Sequence, residues 1–252
     1  MSSVTIDVLT YNVHKGFSIG NREFVLHQMR EQLHASNTDI VFLQEIHGMH
    51  LRHQERVSGW PSVSQFEFIA ERLWPHYRYG KNAIYNAGDH GNAILSKFPF
   101  IHWENLNISS LRRASRSILY GIISHPARQE NLHVICIHLD FIAFERERQF
   151  RVLKDWFYRT IPEHEPVILA GDFNDWRGQV GRGITRELSL KEIFQELHGR
   201  HARTYPSMFP LLPLDRIFYR GLAPVDCMCY GNHPWHRLSD HLPLHAKFRL
   251  DP

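Results

Sequence analysis

The chain has 252 residues, and no linker, repeat or charge block divides it, so we expect one domain spanning residues 1–252 with a large hydrophobic core. Its first residues lack a basic leader, and no stretch approaches the roughly 18 consecutive apolar residues of a membrane span, so neither a signal peptide nor a membrane span is expected. The net charge of +3 permits a polyanionic ligand without requiring one, and three cysteines without metal-type spacing argue against a disulfide scaffold. These features are typical of a cytoplasmic protein, and we expect a monomer.

The spacing of apolar residues predicts alternating strands and helices in the first half of the chain. A β-branched run predicts a strand ending just before Asn12, and a nearly all-apolar run predicts a second strand that delivers Gln44 and Glu45 at its end. In chain order, this half predicts a strand over 4–11, a helix over 22–34 capped by Asn21, a strand over 39–43, a surface loop over 47–64, a short helix over 65–73, and strands over 91–96, 101–108 and 117–124.

The second half continues the same alternation. It predicts a strand over 132–137, a long amphipathic helix over 144–158, a strand over 167–170, a polar loop, a helix near 188–197, a strand from 214 to 218, and a last strand that begins near 239–244 and runs to 248. The total is about ten strands and three or four helices. Because strands and helices are interleaved throughout, the fold class is α/β with two stacked sheets and helices outside them.

One stretch, PVILAGDFNDW at 166–176, is the strongest sign of a functional site. A buried strand ends at Gly171, and Asp172, Asn174 and Asp175 follow directly. Oxygen ligands at a rigid strand end suit a hard cation such as Mg²⁺. By itself the pattern is more typical of an Asx turn that satisfies its own backbone.

Similar polar clusters lie at the ends or starts of other predicted strands, which favours a convergent site. The eight side chains are Asn12, Glu45, His138, Asp172, Asn174, Asp215, Asp240 and His241. Carboxylates for a divalent cation, amides for orientation and two histidines for proton transfer are the groups needed to hydrolyse a phosphate ester.

Arginines and the other histidines are less informative. Arg112, Arg113 and Arg116 together are typical of a solvated face, but Arg116 lies beside a predicted strand and is favoured as a phosphate clamp. The chain has 19 histidines. We interpret the scattered histidines of the predicted 47–64 loop, His47, His50 and His53, as surface or hydrogen-bonded residues, because they lack a zinc-type spacing on a helix with a nearby acid.

Seven motifs, taken in order, resemble those of the endonuclease/exonuclease/phosphatase superfamily, which has the deoxyribonuclease I-like fold. They are TYNVH (10–14), QE (44–45), GNAILS (91–96), IHLD (137–140), GDFN (171–174), LDRIF (214–218) and SDHLPL (239–244). The resemblance implies a four-layered α/β/β/α sandwich of two packed mixed sheets, with the site at one end of the sheets. The fold does not determine the substrate.

The resemblance also implies roles for individual residues. Three metal ligands for Mg²⁺, with Mn²⁺ as an alternative, are implied: Asn12, Glu45 and Asp240. The implied catalytic residues are His138, Asp172, Asn174, Asp215 and His241, and the implied substrate-binding residues are Asn92 and Arg116. Asp215 would orient His241, and His138 would contact the phosphate or protonate the leaving oxygen. The group that takes the proton of the attacking water is left open.

Two positions depart from the patterns of particular subfamilies. Abasic-site endonucleases usually carry an acidic residue where this chain has His14, which disfavours that subfamily. Secreted deoxyribonucleases carry a glutamate that supports the first catalytic histidine, and the comparable position here holds His90. His138 is therefore expected to have a different partner.

Three functional hypotheses follow. The first is a Mg²⁺-dependent phosphodiesterase, with DNA favoured as the substrate and a basic strip beside the site formed by Lys15, Lys81, Arg112, Arg113 and Arg116. The second is the same chemistry on a phospholipid or another small phosphoester, which exposed apolar segments at 208–214 and 233–235 would favour. The third, a binding module without catalysis, is disfavoured because the acids and both histidines are all present.

Overall fold

The structure is a computed structural model that describes residues 4–109, 115–125 and 131–250. Its strands form two sheets of six. The first sheet contains β1 (Thr5–Asn12), β2 (Ile40–His50), β3 (His76–Tyr85), β4 (Gly88–Ser96), β11 (Ala223–Cys229) and β12 (Leu244–Arg249). The second contains β5 (Phe100–Asn107), β6 (Ser117–Ile123), β7 (Leu132–His138), β8 (Val167–Asp172), β9 (Lys191–Glu192) and β10 (Asp215–Arg220).

Both sheets are mixed. The strand order is β11-β12-β1-β2-β4-β3 in the first and β5-β6-β7-β8-β10-β9 in the second. A parallel pair lies at the centre of each sheet, β1 with β2 and β7 with β8, and the other neighbours are antiparallel. Of the four parallel strands, β2 and β8 begin with continuous apolar runs, at 40–43 and 167–170, because both of their faces are covered.

The described helices lie mostly on the outer faces of the two sheets, except that the one over Ile193–His198 contributes Ile193 and Phe194 to the core between them. Over the described ranges they are α1 (Leu26–Ser36), α2 (Leu51–Arg56), α3 (Gln65–Ala70), α4 (Ala143–Thr160), α5 (Gln179–Glu187), α6 (Ile193–His198) and α7 (Trp235–Leu238), with short 3₁₀ turns at His14–Gly16 and Ile19–Asn21. None of the helices that the structure describes is long and apolar enough to cross a membrane.

Three buried clusters separate the layers. Alternate residues of β1 show the arrangement: Ile6 and Val8 point between the sheets, where they pack with Val134 and Ile168, whereas Leu9 joins a cluster on the helix side. A third cluster lies between the second sheet and α4 with α5. The period of two along the strand therefore divides one apolar run between two cores, and the predicted α/β/β/α arrangement is confirmed.

Several predicted boundaries were wrong. The region predicted as a surface loop over 47–64 contains the end of β2 and the helix α2, and the helix predicted from 22 begins at Leu26, with Val25 rather than Asn21 as its N-cap. The polar loop predicted before residue 188 contains α5, and α6 begins only at Ile193. The strands β3, β9 and β11 were not predicted, because they are edge strands or short and are only partly buried.

Candidate active site

The ends of the central strands bring the predicted site residues together. His138 ends β7 and Asp172 ends β8, and the parallel register places these two residues side by side. Asp215 begins the antiparallel strand β10 directly opposite Asp172 on its other side. Asn12 ends β1 in the facing sheet, next to Gln44 of β2. The convergence of these four residues is therefore a result of strand register, whereas Asn174, Asp240 and His241 are placed by the loops after β8 and before β12.

Asp172 lies at the centre of this cluster and is only 1% exposed. Its Oδ2 accepts a hydrogen bond from Asn12 Nδ2 at 3.1 Å and lies 3.4 Å from His138 Nε2 and 3.7 Å from His241 Nε2. Its Oδ1 accepts from the backbone N–H of Asn174 at 2.9 Å. Burial raises the pKa of Asp172 above its ordinary value because the charged carboxylate loses water.

His241 is held between two carboxylates. Its Nδ1 lies 2.8 Å from Asp215 Oδ2, and its backbone N–H donates to Ser239 Oγ at 3.2 Å. Burial opposes the charged imidazole, but the carboxylates of Asp215 and Asp172 outweigh that effect and raise the pKa of His241 to about 10. His241 is therefore an imidazolium at neutral pH in the metal-free protein.

This pKa makes a prediction about stability. In metal-free buffer, the difference in unfolding free energy between the wild type and His241→Asn should shrink as the pH rises. The folded-state pKa is raised from 6.5 to about 10, so the stabilisation by the charged imidazole is fully present below pH 6.5 and is lost as the pH passes about 10. Urea unfolding of both proteins across that range, with EDTA present, measures the difference. A difference that stays constant would contradict an ionised His241.

His138, unlike His241, is uncharged. Burial and the nearby charge of Arg116 hold the pKa of His138 well below its ordinary value, so the ring is neutral. Arg116 Nη1 lies 3.4 Å from His138 Nδ1, and Asn174 Nδ2 lies 3.3 Å from His138 Nε2. The neighbour of His138 Nδ1 is thus an arginine, in keeping with His90 of β4 standing where secreted deoxyribonucleases carry the supporting glutamate. The two histidines of the cluster carry different charges.

The remaining acids, Glu45 and Asp240, lie beside two basic residues. His14 Nδ1 is 3.3 Å from Asp240 Oδ1 and 4.0 Å from Glu45 Oε2, and Lys15 Nζ is 3.1 Å from the same Glu45 oxygen. Burial alone would raise the pKa of Glu45, but the neighbouring basic groups, of which Lys15 makes the shortest contact, hold it well below its ordinary value. The Glu45 carboxylate is therefore ionised and ready to bind a cation.

The backbone at Glu45 indicates that this side chain is placed for a purpose other than packing. Glu45 lies in an irregularity of the β2–β4 ladder, between Leu43 and Ile46, and has a left-handed φ of 56°. Asn174 also has a left-handed φ, of 48°. Such conformations are costly for residues other than glycine and concentrate at functional sites, where bulges redirect side chains.

The donor set fits a divalent cation. Glu45 Oε2 is buried and lacks a hydrogen-bond partner with good geometry among the described residues, and Asp240 and the amide of Asn12 lie in the same group. Oxygen donors of this kind suit Mg²⁺ or Mn²⁺. Asp172, Asp215 and His241 form a second group whose ligand atoms lie within 4.8 Å of one another, but an imidazolium has no lone pair for a metal, so this group suits an ion only if His241 gives up its proton.

Two residues of the sequence analysis lie outside this group of contacts. Asn92 is fully buried, and its Nδ2 donates to the carbonyl oxygen of Ser117 at 3.2 Å, so it fixes the strand that follows Arg116. Asp175 is completely buried and accepts hydrogen bonds from the N–H groups of Gln179 and Gly181 at the start of α5. Asp175 is therefore a structural anchor, whereas its neighbours Asp172 and Asn174 face the cluster.

Sequence reasoning missed the contributions of His14 and Ser239. His14 contacts both acids of the metal-binding group, and Ser239 Oγ donates to the carbonyl oxygen of Asn12 at 2.7 Å, joining the ends of the two outermost motifs. A signal was available for His14, because it occupies the position where a related subfamily places an acid. For Ser239, the only signal was its place next to Asp240.

The surroundings of the site are basic in part and apolar in part. Lys15 contacts Glu45, Lys81 Nζ lies 3.2 Å from Asp89, and Arg116 contacts His138, while Arg112 and Arg113 lie outside the described residues. The predicted apolar segment before β10 is exposed: Met208, Phe209 and Leu211 are 57%, 69% and 52% exposed. In contrast, Trp235 is buried in α7.

Comparisons with known proteins agree with the geometry. A model of the Endonuclease/Exonuclease/phosphatase family matches residues 9–241. The chain is 42% identical over 243 residues to YbhP of Escherichia coli strain K12, an uncharacterised protein, and the match covers 96% of each chain. It superimposes on an endonuclease/exonuclease/phosphatase protein from Bacteroides vulgatus with a TM-score of 0.76 at 16% identity, covering 98% of this chain and 100% of the other. It also superimposes on D. rerio TDP2 complexed with a single-strand DNA product, with a TM-score of 0.70 at 19% identity, covering 97% and 99%.

Proposed function

Because the chain belongs to the endonuclease/exonuclease/phosphatase family, we propose that it is a divalent-metal-dependent hydrolase of phosphodiester bonds, with DNA as the favoured substrate. One observation carries the proposal. Asp172 Oδ2 lies within 4 Å of the imidazoles of both His138 and His241, and one ring is neutral while the other is cationic. A buried acid between one neutral and one cationic histidine is suited to moving protons and stabilising phosphoryl oxygens.

Each residue has a proposed role in this chemistry. Asp172 and Asn174 orient the attacking water and the phosphate. The imidazolium of His241, held by Asp215, neutralises charge that develops on the phosphoryl oxygens. Neutral His138, whose Nδ1 lies 3.4 Å from Arg116 Nη1, hydrogen-bonds the phosphate; of the two roles expected for it, protonation of the leaving oxygen does not suit an uncharged imidazole. A well-placed donor of this kind contributes about 3–4 kcal/mol of transition-state stabilisation.

The metal would be held by Glu45, Asn12 and Asp240. When bound, a divalent cation supplies Lewis-acid stabilisation of the phosphoryl oxygens. Lys15 and His14 contact these acids, so a bound cation would compete with both basic side chains for the carboxylate oxygens. His14 and Lys15 have left-handed φ angles in a 3₁₀ turn, and this turn determines the direction in which their two side chains leave the backbone.

The metal assignment predicts a change in thermal stability. Saturating Mg²⁺ or Mn²⁺ should raise the melting temperature of the wild type, because an ion that binds only the folded state stabilises it by mass action, by about 2.7 kcal/mol at a hundred times Kd. Glu45→Ala should lose most of this increase. Differential scanning fluorimetry with a metal titration measures it. Asp39→Ala, which removes an acid paired with Lys97 away from the site, should keep the increase. An equal increase in Glu45→Ala would contradict the assignment.

The substrate is tested by comparing three kinds of phosphodiester. Supercoiled plasmid, a panel of phospholipids and a generic aryl phosphodiester are incubated with the wild type, Asp172→Ala and His241→Ala in Mg²⁺. Mg²⁺-dependent nicking that both substitutions abolish would support DNA as the substrate. Intact plasmid with turnover of a lipid or the aryl ester would exclude DNA and keep the site. An absence of turnover on all three would favour the binding module without catalysis.

A specific observation favours the second candidate, a phospholipid or another phosphoester with an apolar group. The segment that contains Met208, Phe209 and Leu211 exposes large apolar side chains and is attached to the site, because the N–H of Ser207 donates to the carbonyl oxygen of Asp240 at 2.8 Å. Phe141, directly after the IHLD motif, is 64% exposed as well. Exposed apolar groups around a phosphate site suit an apolar leaving group better than a phosphate backbone.

A further inference from the structure

Three imidazoles meet where β2 ends and α2 begins. His47 lies in β2, His50 is its last residue and the N-cap of α2, and His53 lies within α2. Each offers one ring nitrogen, and the three nitrogens lie within 4.8 Å of one another. The turn at the start of α2, in a region predicted as a surface loop, produces this proximity, which the interpretation of these histidines as surface or hydrogen-bonded residues did not include.

His47 is oriented as a metal-binding histidine is. Its ring is 1% exposed, and its Nδ1 lies 3.0 Å from the carbonyl oxygen of Asp89. A carbonyl oxygen only accepts, so Nδ1 carries the proton and the lone pair is on Nε2. Among the described residues, that buried Nε2 has no hydrogen-bond partner. A backbone carbonyl on one nitrogen and a free lone pair on the other is the usual arrangement for a histidine that binds a metal.

From these contacts we propose that His47, His50 and His53 form a second metal site, which binds a transition-metal ion of the Zn²⁺ class. Three imidazole nitrogens suit Zn²⁺, Ni²⁺ or Cu²⁺ and do not suit Mg²⁺, which prefers oxygen. The two proposed sites thus differ in ligand type: oxygen atoms around Glu45 and imidazole nitrogen atoms at the three histidines. The proposal does not depend on the proposed hydrolytic function.

The outer two ligands can adjust to an ion. The rings of His50 and His53 are stacked, with centroids 3.6 Å apart and planes 13° apart, and both are partly exposed. Parallel rings direct their nitrogens side by side, so binding requires one ring to rotate. His50 Nδ1 accepts the backbone N–H of His53 at 3.1 Å, and His53 Nδ1 is buried without a hydrogen-bond partner in the part of the chain that the structure describes. We therefore expect His50 to exchange this N-cap bond for the metal.

Aromatic side chains form the surroundings of the three histidines. The ring of Trp60 lies 5.0 Å from that of His53 and 5.6 Å from that of His47, and the ring of Phe17 lies 5.5 Å from that of His53. An apolar wall limits the access of water and strengthens the bonds between metal and nitrogen. Because His47 is two residues after Glu45 on the same strand, an ion bound here would also fix the segment that holds the carboxylate site.

Isothermal titration of tag-free, full-length protein with Zn²⁺ in saturating Mg²⁺ tests the proposal. The wild type is compared with His50→Ala/His53→Ala, and with His233→Ala/His236→Ala as a matched control that removes a different pair of neighbouring imidazoles. We expect the first double variant to lose one equivalent of Zn²⁺, or to bind it at least 10–100-fold more weakly, and the control to bind as the wild type does. Zn²⁺ that binds at the carboxylate site would contribute equally to the titrations of all three proteins, so it does not affect the comparison.

A spectroscopic measurement keeps the test valid if the double variant is unstable. Co²⁺ bound by several imidazoles in a tetrahedral site absorbs visible light strongly, whereas Co²⁺ in an octahedral oxygen site absorbs weakly. The wild type should show the strong absorption, and the conservative single variant His53→Gln should lose most of it. Equal Zn²⁺ stoichiometry and affinity in wild type and double variant, or only weak Co²⁺ absorption in the wild type, would overturn the proposal.

Discussion

Replacing His241 by alanine is expected to lower the turnover number on the preferred phosphodiester by about 10³-fold, because the substitution removes the charged donor that we propose to face the phosphoryl group. His241 is 5% exposed, and its ring lies between Asp215 and Asp172, at 2.8 and 3.7 Å. Steady-state kinetics in saturating Mg²⁺ measure the loss. The effect should fall on kcat rather than KM, since the contact strengthens as charge develops in the transition state.

Two further variants make this result specific. Asp215→Asn keeps the shape of the carboxylate but removes the charge that holds His241 protonated, so it should also reduce kcat strongly. His245→Ala is the matched control: His245 Nε2 lies 3.0 Å from Asp7 Oδ1, a histidine–aspartate pair on β12 and β1 outside the cluster, and its loss should leave kcat unchanged. A His241→Ala enzyme with near-normal kcat would exclude His241 from the catalytic residues.

Replacing Asp175 by alanine is expected to reduce the free energy of unfolding by about 3–5 kcal/mol, because it leaves buried positive charge without its partner. Asp175 is 0% exposed and Arg216 is 1% exposed. Arg216 Nη1 lies 3.7 Å from Asp175 Oδ2, and Arg146 Nε lies 3.9 Å from Asp175 Oδ1. The same carboxylate accepts the N–H groups that begin α5, so that helix loses its first contacts as well.

Urea unfolding of Asp175→Ala, Arg216→Met and the double variant measures this coupling. If the buried pair is the cause, the double variant should lose less stability than the sum of the single variants, since it removes both charges together. Lys154→Ala, which breaks an exposed pair with Glu187, should leave the free energy of unfolding nearly unchanged. A loss in Asp175→Ala no larger than that in Lys154→Ala would show that the buried charges find other partners.

The central strands could be predicted from the sequence because their apolar runs are long and their ends are polar. The helix α5 could not, because its sequence contains Gly181 and Gly183, which disfavour a helix. Packing explains both glycines: a Cβ on Gly183 would lie 2.6 Å from Phe150, and one on Gly181 would lie 2.0 Å from Arg216. Tertiary contacts with residues distant in sequence thus override the local propensity.

The same distinction applies to the site. Side chains at the ends of strands were found because strand register brings them together, and register follows from the pattern of apolar residues. The contacts of Lys15 and His14 with the acids could not be predicted, since they depend on left-handed backbone angles in a short turn. The histidines of the second proposed site were missed for a related reason, because their proximity depends on a helix of six residues that has little apolar periodicity.

The pairing of β1 with β12 has a consequence for synthesis of the protein. Asn12 and Ser239 are 227 residues apart in sequence but are joined by a hydrogen bond, and Thr5 is paired with Arg249. A chain emerging from the ribosome cannot assemble the site until this last strand is released, and such non-local pairing is slow to form. We therefore expect incomplete chains to lack the proposed hydrolytic activity, which would begin only after translation of the last strand.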